Sequence, residues 1–167
     1  LKKSEYKKYI TYRFDQNPKT IFKDNSNTIW VSMGKDEFHK PKLYAIKKGT
    51  VTLKAVFKKN INYIVQLKNA LYLGGDQGLF QYDLKTRKIH FEKNTQKLKV
   101  RGIFIDSQQK IWLTTYEKGF FLYSDQVLHS FPTDEENSLD ASHCIIEDKN
   151  GFFWISTNKG LFQVSRK

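Results

Sequence analysis

A short motif recurs four times along the chain at a nearly constant spacing, and this regularity limits the possible folds more than any other feature. Each copy is centred on a large aromatic residue, and consecutive anchors are 42, 40 and 42 residues apart: Trp30, Tyr72, Trp112 and Trp154. Six residues before the anchor, the copies carry Asp24, Gln66, Asp106 and Asp148. Chance does not readily produce so many matches at one period, so the chain is built from an internal repeat.

The fourth copy shows most clearly what one repeat forms. Its three short apolar runs are Cys144–Glu147, Phe152–Thr157 and Leu161–Val164. Turn sequences separate them, ending at Gly151 and Gly160, because Asn and Gly tolerate the backbone angles of tight turns. The runs are too short and too often broken by glycine for a helix. The copy therefore predicts three antiparallel strands.

A repeat of roughly 40–45 residues that holds four short strands is typical of a β-propeller blade. The sequence therefore predicts an all-β fold of the β-propeller type with about four four-stranded antiparallel blades in one segment, residues 1–167. The predicted blades are 20–57, 61–92, 101–131 and 142–164. Neither face of a blade can be buried alone, so blades must stack on one another, and the aromatic anchors are expected in the core between them.

The fourth predicted blade lacks an outer strand. Tyr9–Phe14 alternates like a strand, and two outcomes fit this pattern. In the first, it supplies the missing strand and closes the ring, which would hide the termini and edges. The alternative is a partial propeller whose open ends pair with the rest of a larger protein or with a second copy.

These repeats resemble the two-component regulator propeller, whose pattern is roughly I-x-x-D-x-x-G-x-x-W-x-x-T-x-x-G-L-x-x-Y. The fourth copy, IIEDKNGFFWISTNKGLFQV, matches nearly throughout, whereas the first copy carries an insertion at Gly34–Lys42 and the second has Tyr72 in place of Trp. WD-type propellers fit less well, since these copies lack Gly-His near the start and Trp-Asp at the end. The resemblance implies a larger propeller in the periplasmic part of an inner-membrane sensor protein, often one that controls polysaccharide use.

The composition limits the kinds of binding partner that we expect. The formal net charge is +12, with 25 lysines and four arginines spread over every predicted blade. This charge favours anionic partners, but the aromatics repeat at core positions and arginines are few, so we do not expect nucleic-acid binding by this segment. No apolar run is long enough to span a membrane, so any membrane attachment would use segments outside this sequence. No signal peptide is visible, and the start at Leu1 predicts a processed chain or a piece of a longer one.

No catalytic or cofactor motif stands out, and the four histidines lack the spacing of metal ligands. The repeated aspartates fall at turns, where we expect their carboxylates to accept bonds from the turn backbone rather than bind Ca²⁺. Cys144 is the sole cysteine and lies in an apolar strand, which predicts a buried, unreactive thiol. We therefore expect no enzyme activity, no cofactor and no metal.

Ligand sites in propellers usually lie on one rim, built by the loops between second and third strands and by the crossings between blades; this is an analogy at the level of the fold. The starts of the first strands, eleven residues before each anchor, are expected to face the axis: Lys19, Ile61, Arg101 and His143. The inserted loop is the most unusual of the rim loops. The candidate ligand-binding residues are Lys35, Phe38, His39, Lys40, Lys42, Arg101, Tyr116, Lys118, His143, Asn158 and Lys159.

Two functions follow as hypotheses. In the first, the chain is a non-enzymatic sensor segment that recognises an oligosaccharide, with an acidic or sulfated sugar favoured by the positive charge. In the second, it is a structural or protein-interaction propeller without a small-molecule ligand.

Overall fold

The computed structural model describes residues 10–131 and 141–166, which form an all-β fold of fifteen strands in four antiparallel sheets. The first sheet contains β1 (Pro18–Lys23), β2 (Ile29–Met33), β3 (Lys42–Lys47) and β4 (Thr50–Val56). The second contains β5 (Ile61–Leu67), β6 (Ala70–Gly75), β7 (Gly78–Asp83) and β8 (Ile89–Phe91). The third contains β9 (Val100–Ile105), β10 (Ile111–Thr115), β11 (Phe120–Ser124) and β12 (Val127–Ser130). The fourth contains β13 (Ser142–Glu147), β14 (Phe152–Thr157) and β15 (Gly160–Ser165).

Every sheet is a simple meander in which strands adjacent in sequence pair with each other. The first strands β1, β5, β9 and β13 contact one another in series, so they form the inner side of the stack. The sheets begin and end within two residues of the predicted blades, because the turns and apolar runs of each repeat fix where its strands stop. A 3₁₀ turn at Lys93–Thr95 leads from the second sheet toward the third.

The N-terminal segment differs from its prediction. Residues 10–14 form no strand, and the fourth sheet has three strands among the described residues, so the expected ring closure is not found there; Tyr9 lies outside the described residues. Instead, the Phe14 ring packs 5.1 Å from the Tyr44 ring of β3, and the buried Gln16 donates hydrogen bonds at 2.8 Å to the carbonyls of Gly34 and Lys40. The segment therefore covers part of the outer side of the first sheet, where Ile21 and Leu53 remain 68% and 48% exposed.

Three apolar clusters fill the spaces between consecutive sheets. Trp30 is 3% exposed and meets Tyr82 of the second sheet at 5.1 Å between ring centroids. Trp112 is 8% exposed and lies 4.8 Å from Phe153 of the fourth sheet. Tyr72 is half-buried against the cluster between the second and third sheets. The prediction that these anchors pack between blades is therefore confirmed for the first three repeats.

The fourth sheet departs from two expectations. Trp154 is half-buried and belongs to none of the three clusters, and Cys144 is exposed rather than buried. The reason is the alternation of a strand, since successive side chains point to opposite faces. Ile145 faces the third sheet and is 6% exposed, whereas Cys144 and Ile146 face the other way and are exposed.

One hydrogen-bond pattern fixes the first turn of three sheets. One carboxylate oxygen of the aspartate accepts the amides two and four residues later, as the sequence predicts for turn aspartates. The other oxygen accepts the indole N–H of the anchor tryptophan at 2.9, 2.9 and 3.0 Å, for Asp24, Asp106 and Asp148 respectively. Burial acts to raise the pKa of Asp24 and Asp106, but these hydrogen bonds prevail and hold both pKa values below normal.

Candidate functional site

The loops between second and third strands meet the first-strand starts at one rim. In each sheet, the first loop residue donates its amide to the carbonyl of the residue just before the first strand. The N–O distances are 2.9, 3.0, 3.2 and 3.3 Å, for Gly34–Asn17, Asp76–Asn60, Tyr116–Lys99 and Asn158–Ala141. Because this bond recurs in all four sheets, the four loops lie at the same end of the stack.

In three sheets, a side chain near the start of the first strand also contacts a side chain of the loop between the second and third strands. Asn62 donates to the Asp76 carboxylate at 2.8 Å in the second sheet. In the third sheet, the Arg101 guanidinium lies 5.0 Å from the centroid of the Tyr116 ring. In the fourth sheet, His143 Nε2 lies 2.6 Å from Asn158 Oδ1. The structure thus brings four of the predicted residues together in two pairs.

The loops of the third and fourth sheets are built alike. The amide of Lys118 donates to the Thr115 hydroxyl at 3.0 Å, and the amide of Lys159 donates to the Thr157 hydroxyl at 3.1 Å. Each hydroxyl donates in turn to the carbonyl of the loop glycine, Gly119 or Gly160. Two lysines of the predicted set therefore occupy equivalent places on the rim.

The inserted loop has its own internal order. The Asp36 carboxylate accepts the amides of Phe38 and His39 at 2.8 and 2.7 Å and lies 2.9 Å from His39 Nδ1. The hydrogen bond with the His39 ring is the largest cause that lowers the pKa of Asp36. Gln16 also donates hydrogen bonds to the carbonyls of Gly34 and Lys40, near the two ends of the loop. In this ordered loop the Phe38 side chain is 82% exposed to solvent.

The predicted residues of the first repeat are only partly brought to the rim. The Lys35 amide donates to Oδ1 of Asn60, the residue just before the second sheet, at 2.7 Å, so the base of the inserted loop adjoins the rim. Lys42 is the first residue of β3 and pairs with Met33, so it belongs to a strand rather than to the loop. Lys40 is exposed. Ile61, expected to face the axis, is 1% exposed in the core, because its side chain points between the first two sheets.

A cavity of about 420 Å³ opens on the rim across the first three sheets. Its lining is Lys19, Lys59, Asn62, Asp76, Lys99, Tyr116 and Glu117. Of these residues, Tyr116 was among the candidate ligand-binding residues, and Lys19 was among the first-strand starts expected to face the axis. Sequence reasoning missed Lys59 and Lys99, although each stands thirteen residues before its anchor. That shared offset was the available signal.

Charges in this cavity are partly paired. Lys99 Nζ lies 3.5 Å from Glu117 Oε1, and both side chains are more than half exposed. Such a surface pair contributes little to stability. Asp76 is held by the Asn62 amide. Lys19 and Lys59 form no ion pair among the described residues, so the cavity offers cationic groups to a ligand.

A second basic cleft of about 810 Å³ lies at the opposite end, between the first two sheets. Cationic side chains surround it: Lys47, Lys48, Lys54, Lys68 and Arg87. Lys54 lies within β4, and the others lie on or beside the β3–β4, β5–β6 and β7–β8 turns, which an antiparallel meander places away from the β2–β3 loop. The candidate list from sequence contained none of these residues.

A buried carboxylate joins the second and third sheets. Glu92 is 7% exposed and accepts the hydroxyl of Tyr123, which is 7% exposed. Burial, together with this bond and the charge of Glu92, raises the pKa of Tyr123. His90 Nε2 lies 3.9 Å from the same carboxylate. The Glu92 carboxylate thus has a hydrogen-bond donor beside it, which explains why it can be buried.

Within residues 10–131 and 141–166, no three His, Cys, Asp or Glu side chains are grouped closely enough to hold a metal. The described part of the chain also contains no helix of the length and apolarity needed to span a membrane.

Solved structures with the same fold include proteins of several kinds. The extracellular domain of the hybrid two component system BT4673 from B. thetaiotaomicron has a TM-score of 0.72 and 17% identity, covering 90% of this chain and 21% of that one. PorZ, a surface component of the type-IX secretion system of Porphyromonas gingivalis, has a TM-score of 0.69 and 14% identity, covering 89% of this chain and 26% of that one. Virginiamycin B lyase from Staphylococcus aureus has a TM-score of 0.70 and 12% identity, covering 94% of this chain and 58% of that one.

These similarities show the fold, which is shared by an extracellular domain of a two component system, a secretion component and an enzyme. The chain spans about a fifth of the length of the two component system domain. No curated protein sequence matches it. The family model described as two component regulator propeller matches residues 137–159, which contain the fourth aromatic anchor. The chain therefore has a propeller-type fold and carries a two component regulator propeller repeat.

Proposed function

We propose that this chain is a non-enzymatic sensor segment of a bacterial two-component regulator, and that its axial rim binds an acidic oligosaccharide. The family match at residues 137–159 and the fold shared with extracellular domains of such systems support the sensor role. The single observation that supports an anionic ligand is the rim cavity, which is lined by Lys19, Lys59 and Lys99.

The chemistry of the cavity suits a small anionic sugar. Its volume of about 420 Å³ falls within the range of small-molecule sites. Lysine ammonium groups form charge-assisted hydrogen bonds with carboxylate or sulfate oxygens. The Tyr116 ring, with Arg101 against it, offers an apolar face for a sugar ring. Asp76 and Glu117 can accept hydrogen bonds from sugar hydroxyls.

The ligand is tested by calorimetric titration with uronate-containing and sulfated oligosaccharides and with neutral ones of equal length. We expect heat from acidic members only, and weaker binding as salt rises. The Lys59→Ala and Lys99→Ala variants are expected to weaken binding about tenfold each, the loss of one charge-assisted hydrogen bond.

The opposite basic cleft supplies the matched control. Lys48→Ala and Lys68→Ala remove the same charge from the other end and are expected to leave the affinity unchanged. If these variants weaken binding and the rim variants do not, the anion site is in the cleft and the rim assignment is wrong. Absence of heat from every acidic oligosaccharide would overturn the glycan part of the proposal.

The proposed location is the periplasm, where such a sensor would meet oligosaccharides. In intact cells of the source bacterium, an antibody against the chain should detect a protein that becomes protease-sensitive when the outer membrane is opened. Protection until the inner membrane is broken would contradict the proposal.

A structural or protein-interaction role is the second candidate. The observation that favours it is the exposed apolar face of the fourth sheet, where Ile146 and Leu161 are 60% and 65% exposed. The two roles are compatible, since the rim and this face are different surfaces.

A further inference from the structure

The basic cleft between the first two sheets carries far more positive than negative charge. Asp24 is the sole acid among its lining residues, and both of its carboxylate oxygens accept hydrogen bonds from its own turn or from Trp30. Five cationic side chains line the cleft, and none of them forms an ion pair among the described residues: Lys47, Lys48, Lys54, Lys68 and Arg87. The cleft therefore has an excess of positive charge that its own acid cannot neutralise.

This excess is local to the first two sheets. At the same end of the stack, a cavity of about 340 Å³ lies between the second and third sheets. Its lining holds two acids, Glu92 and Asp125, beside His90 and Lys110. The same repeat thus forms a cavity there without a cationic excess, so neither the fold nor the spread of lysines along the chain explains the charge of the cleft.

Three of the cations occupy turn positions where the backbone favours other residues. Lys48, Lys68 and Arg87 have φ of 47°, 54° and 61°, in the left-handed region that glycine, asparagine and aspartate adopt most readily. The two-residue turn that begins with Lys48 is formed in the third sheet by Asp125 and Gln126, so the charge is reversed at a matching position. Strained residues of this kind cluster at ligand sites.

The other contacts direct two cations into the cleft. The register between β3 and β4 passes from Leu43–Ala55 to Tyr44–Leu53, so Lys54 is the extra residue of a β-bulge. A bulge changes the direction of its side chain, and Lys54 is half-buried in the wall of the cleft. Burial raises the pKa of Tyr82, which lines the same cleft, and the positive charge of Arg87 opposes that rise. Arg87 therefore lies close to the inner wall.

Neutral hydrogen-bond donors stand among these charges. Thr50 and Thr52 lie on alternate positions of β4, and Asn69 lies in the turn between β5 and β6. All three are exposed and line the cleft. Phosphate oxygens accept hydrogen bonds from hydroxyl, amide, ammonium and guanidinium groups, and those from the charged donors are the strongest.

We propose that the basic cleft binds a ligand that carries two phosphate groups, either a soluble bisphosphorylated sugar or the bisphosphorylated headgroup of a lipid. A phosphate monoester carries a charge of about −1.5 to −2 at pH 7, so two of them come close to the excess charge of the cleft. The volume of about 810 Å³ is suited to a ligand of this size. The rim cavity holds three lysines beside Asp76 and Glu117, so it suits a ligand of lower charge. The cleft is separate from the rim and does not depend on the proposed function.

The chemistry is tested with two probes on the 167-residue chain. Calorimetric titration compares fructose bisphosphate with fructose monophosphate, and a flotation assay compares phosphatidylcholine vesicles with and without phosphatidylinositol bisphosphate. We expect the bisphosphate to bind about tenfold or more tightly than the monophosphate, and binding to weaken as salt rises. Binding to the sugar alone would identify a soluble ligand, and binding to the charged vesicles alone would identify a lipid headgroup. Binding to neither probe, or equal affinity for the monophosphate, would overturn the proposal.

The turn positions allow charge to be removed without harm to the backbone. Lys48→Asn and Lys68→Asn put a residue that suits the left-handed region in place of lysine. We expect each variant to weaken bisphosphate binding about tenfold, the loss of one charge-assisted hydrogen bond, while its thermal midpoint does not fall. Lys48→Arg keeps the charge and should bind as the wild type does.

The rim variants Lys59→Ala and Lys99→Ala are the matched controls, because they remove the same charge from the other end of the stack. Their affinity for the bisphosphate should equal that of the wild type. An equal loss in cleft and rim variants would show a response to net charge alone, and unchanged affinity in both cleft variants would place the ligand elsewhere. Either result would overturn the cleft assignment. The rim test uses uronate-containing and sulfated sugars, so each site can fail its own test while the other passes.

Discussion

The aspartate–tryptophan pair joins a turn to the strand that follows it. In the third sheet, Asp106 is 2% exposed and accepts two amides, the Trp112 indole and one guanidinium nitrogen of Arg166. In the fourth sheet, Asp148 makes the same turn bonds and accepts Trp154 at a half-buried site. The same residues in the same pattern thus experience different burial.

This difference gives a paired prediction. Asp106→Asn keeps a carbonyl for the turn amides but turns an NH₂ group toward the indole N–H, or the reverse, and removes the charge facing Arg166. We expect a loss of about 2–3 kcal/mol in the free energy of unfolding, the cost of a broken buried bond to a charged group. The check is urea denaturation, with Asp148→Asn as the control, for which a clearly smaller loss is expected. Equal losses would contradict the role assigned to burial.

The same carboxylates predict the acid sensitivity of the fold. The pKa values of Asp24, Asp106 and Asp148 are lowered from 3.8 in the native state, so the unfolded chain binds protons more readily. Their contribution to stability is complete above the ordinary value and is lost as pH falls through the lowered native pKa values. Urea midpoints measured from about pH 6 to about pH 2 should therefore drop below about pH 4. Asp106→Asn should show a smaller drop than the wild type, and an equal drop would contradict this account.

Residue patterns predicted the turn bonds but not the tryptophan bond. The backbone bonds of Asp106 are local and follow from its place before a turn. The bond to Trp112 depends on the second strand returning beside the first, which is a consequence of pairing. The prediction that Cys144 is buried was wrong for a related reason. An apolar strand is buried on both sides only where both sides of its sheet have a neighbour.

Two equivalent glycines show how contact between elements decides the effect of a substitution. Gly78 and Gly160 each stand six residues after their anchor and have φ of 105° and 140°. A Cβ at Gly78 would lie 2.4 Å from the Thr95 carbonyl oxygen, whereas a Cβ at Gly160 meets nothing within 4 Å. The 3₁₀ turn after the second sheet is the source of that close approach.

We expect Gly78→Ala to lower the free energy of unfolding by about 3 kcal/mol, from backbone strain and overpacking together. Gly160→Ala carries the strain alone and should cost about 1 kcal/mol. Thermal or urea denaturation of both variants provides the measurement. Similar losses at the two sites would mean that the contact with Thr95 is relieved by a small shift of the turn.

Strand positions were the most predictable elements, and the N-terminal segment was the least. The alternation in Tyr9–Phe14 predicted a strand, but a strand also needs a free edge within reach. Residues 10–14 instead place Phe14 on Tyr44, at the first sheet. For the rim, the repeat period identified which loops meet. It also placed Lys59 and Lys99 at one position of the repeat, but it did not show which side chains line a cavity between sheets.

The whole molecule is a linear stack in which each sheet packs on its sequence neighbours. The three apolar clusters lie in series; the second and third sheets take part in two of them, whereas the first and the fourth take part in one each. In such a stack, stability is roughly the sum of the sheets and their shared interfaces. The first sheet is further held by Phe14 and Gln16. The fourth sheet has one interface alone among the described residues and should therefore open most readily.

Amide hydrogen exchange can test this gradient on strands of matched burial. Leu113 in β10 and Ile155 in β14 are both 0% exposed and central in their sheets. Exchange should nevertheless be slower in β10, because its sheet is held on both sides, whereas β14 is released when one cluster opens. Raising the urea concentration below the midpoint should first speed exchange across β13–β15. Simultaneous exchange of all four sheets would show instead that the stack unfolds as a single cooperative unit, with the interfaces stronger than the sheets they join.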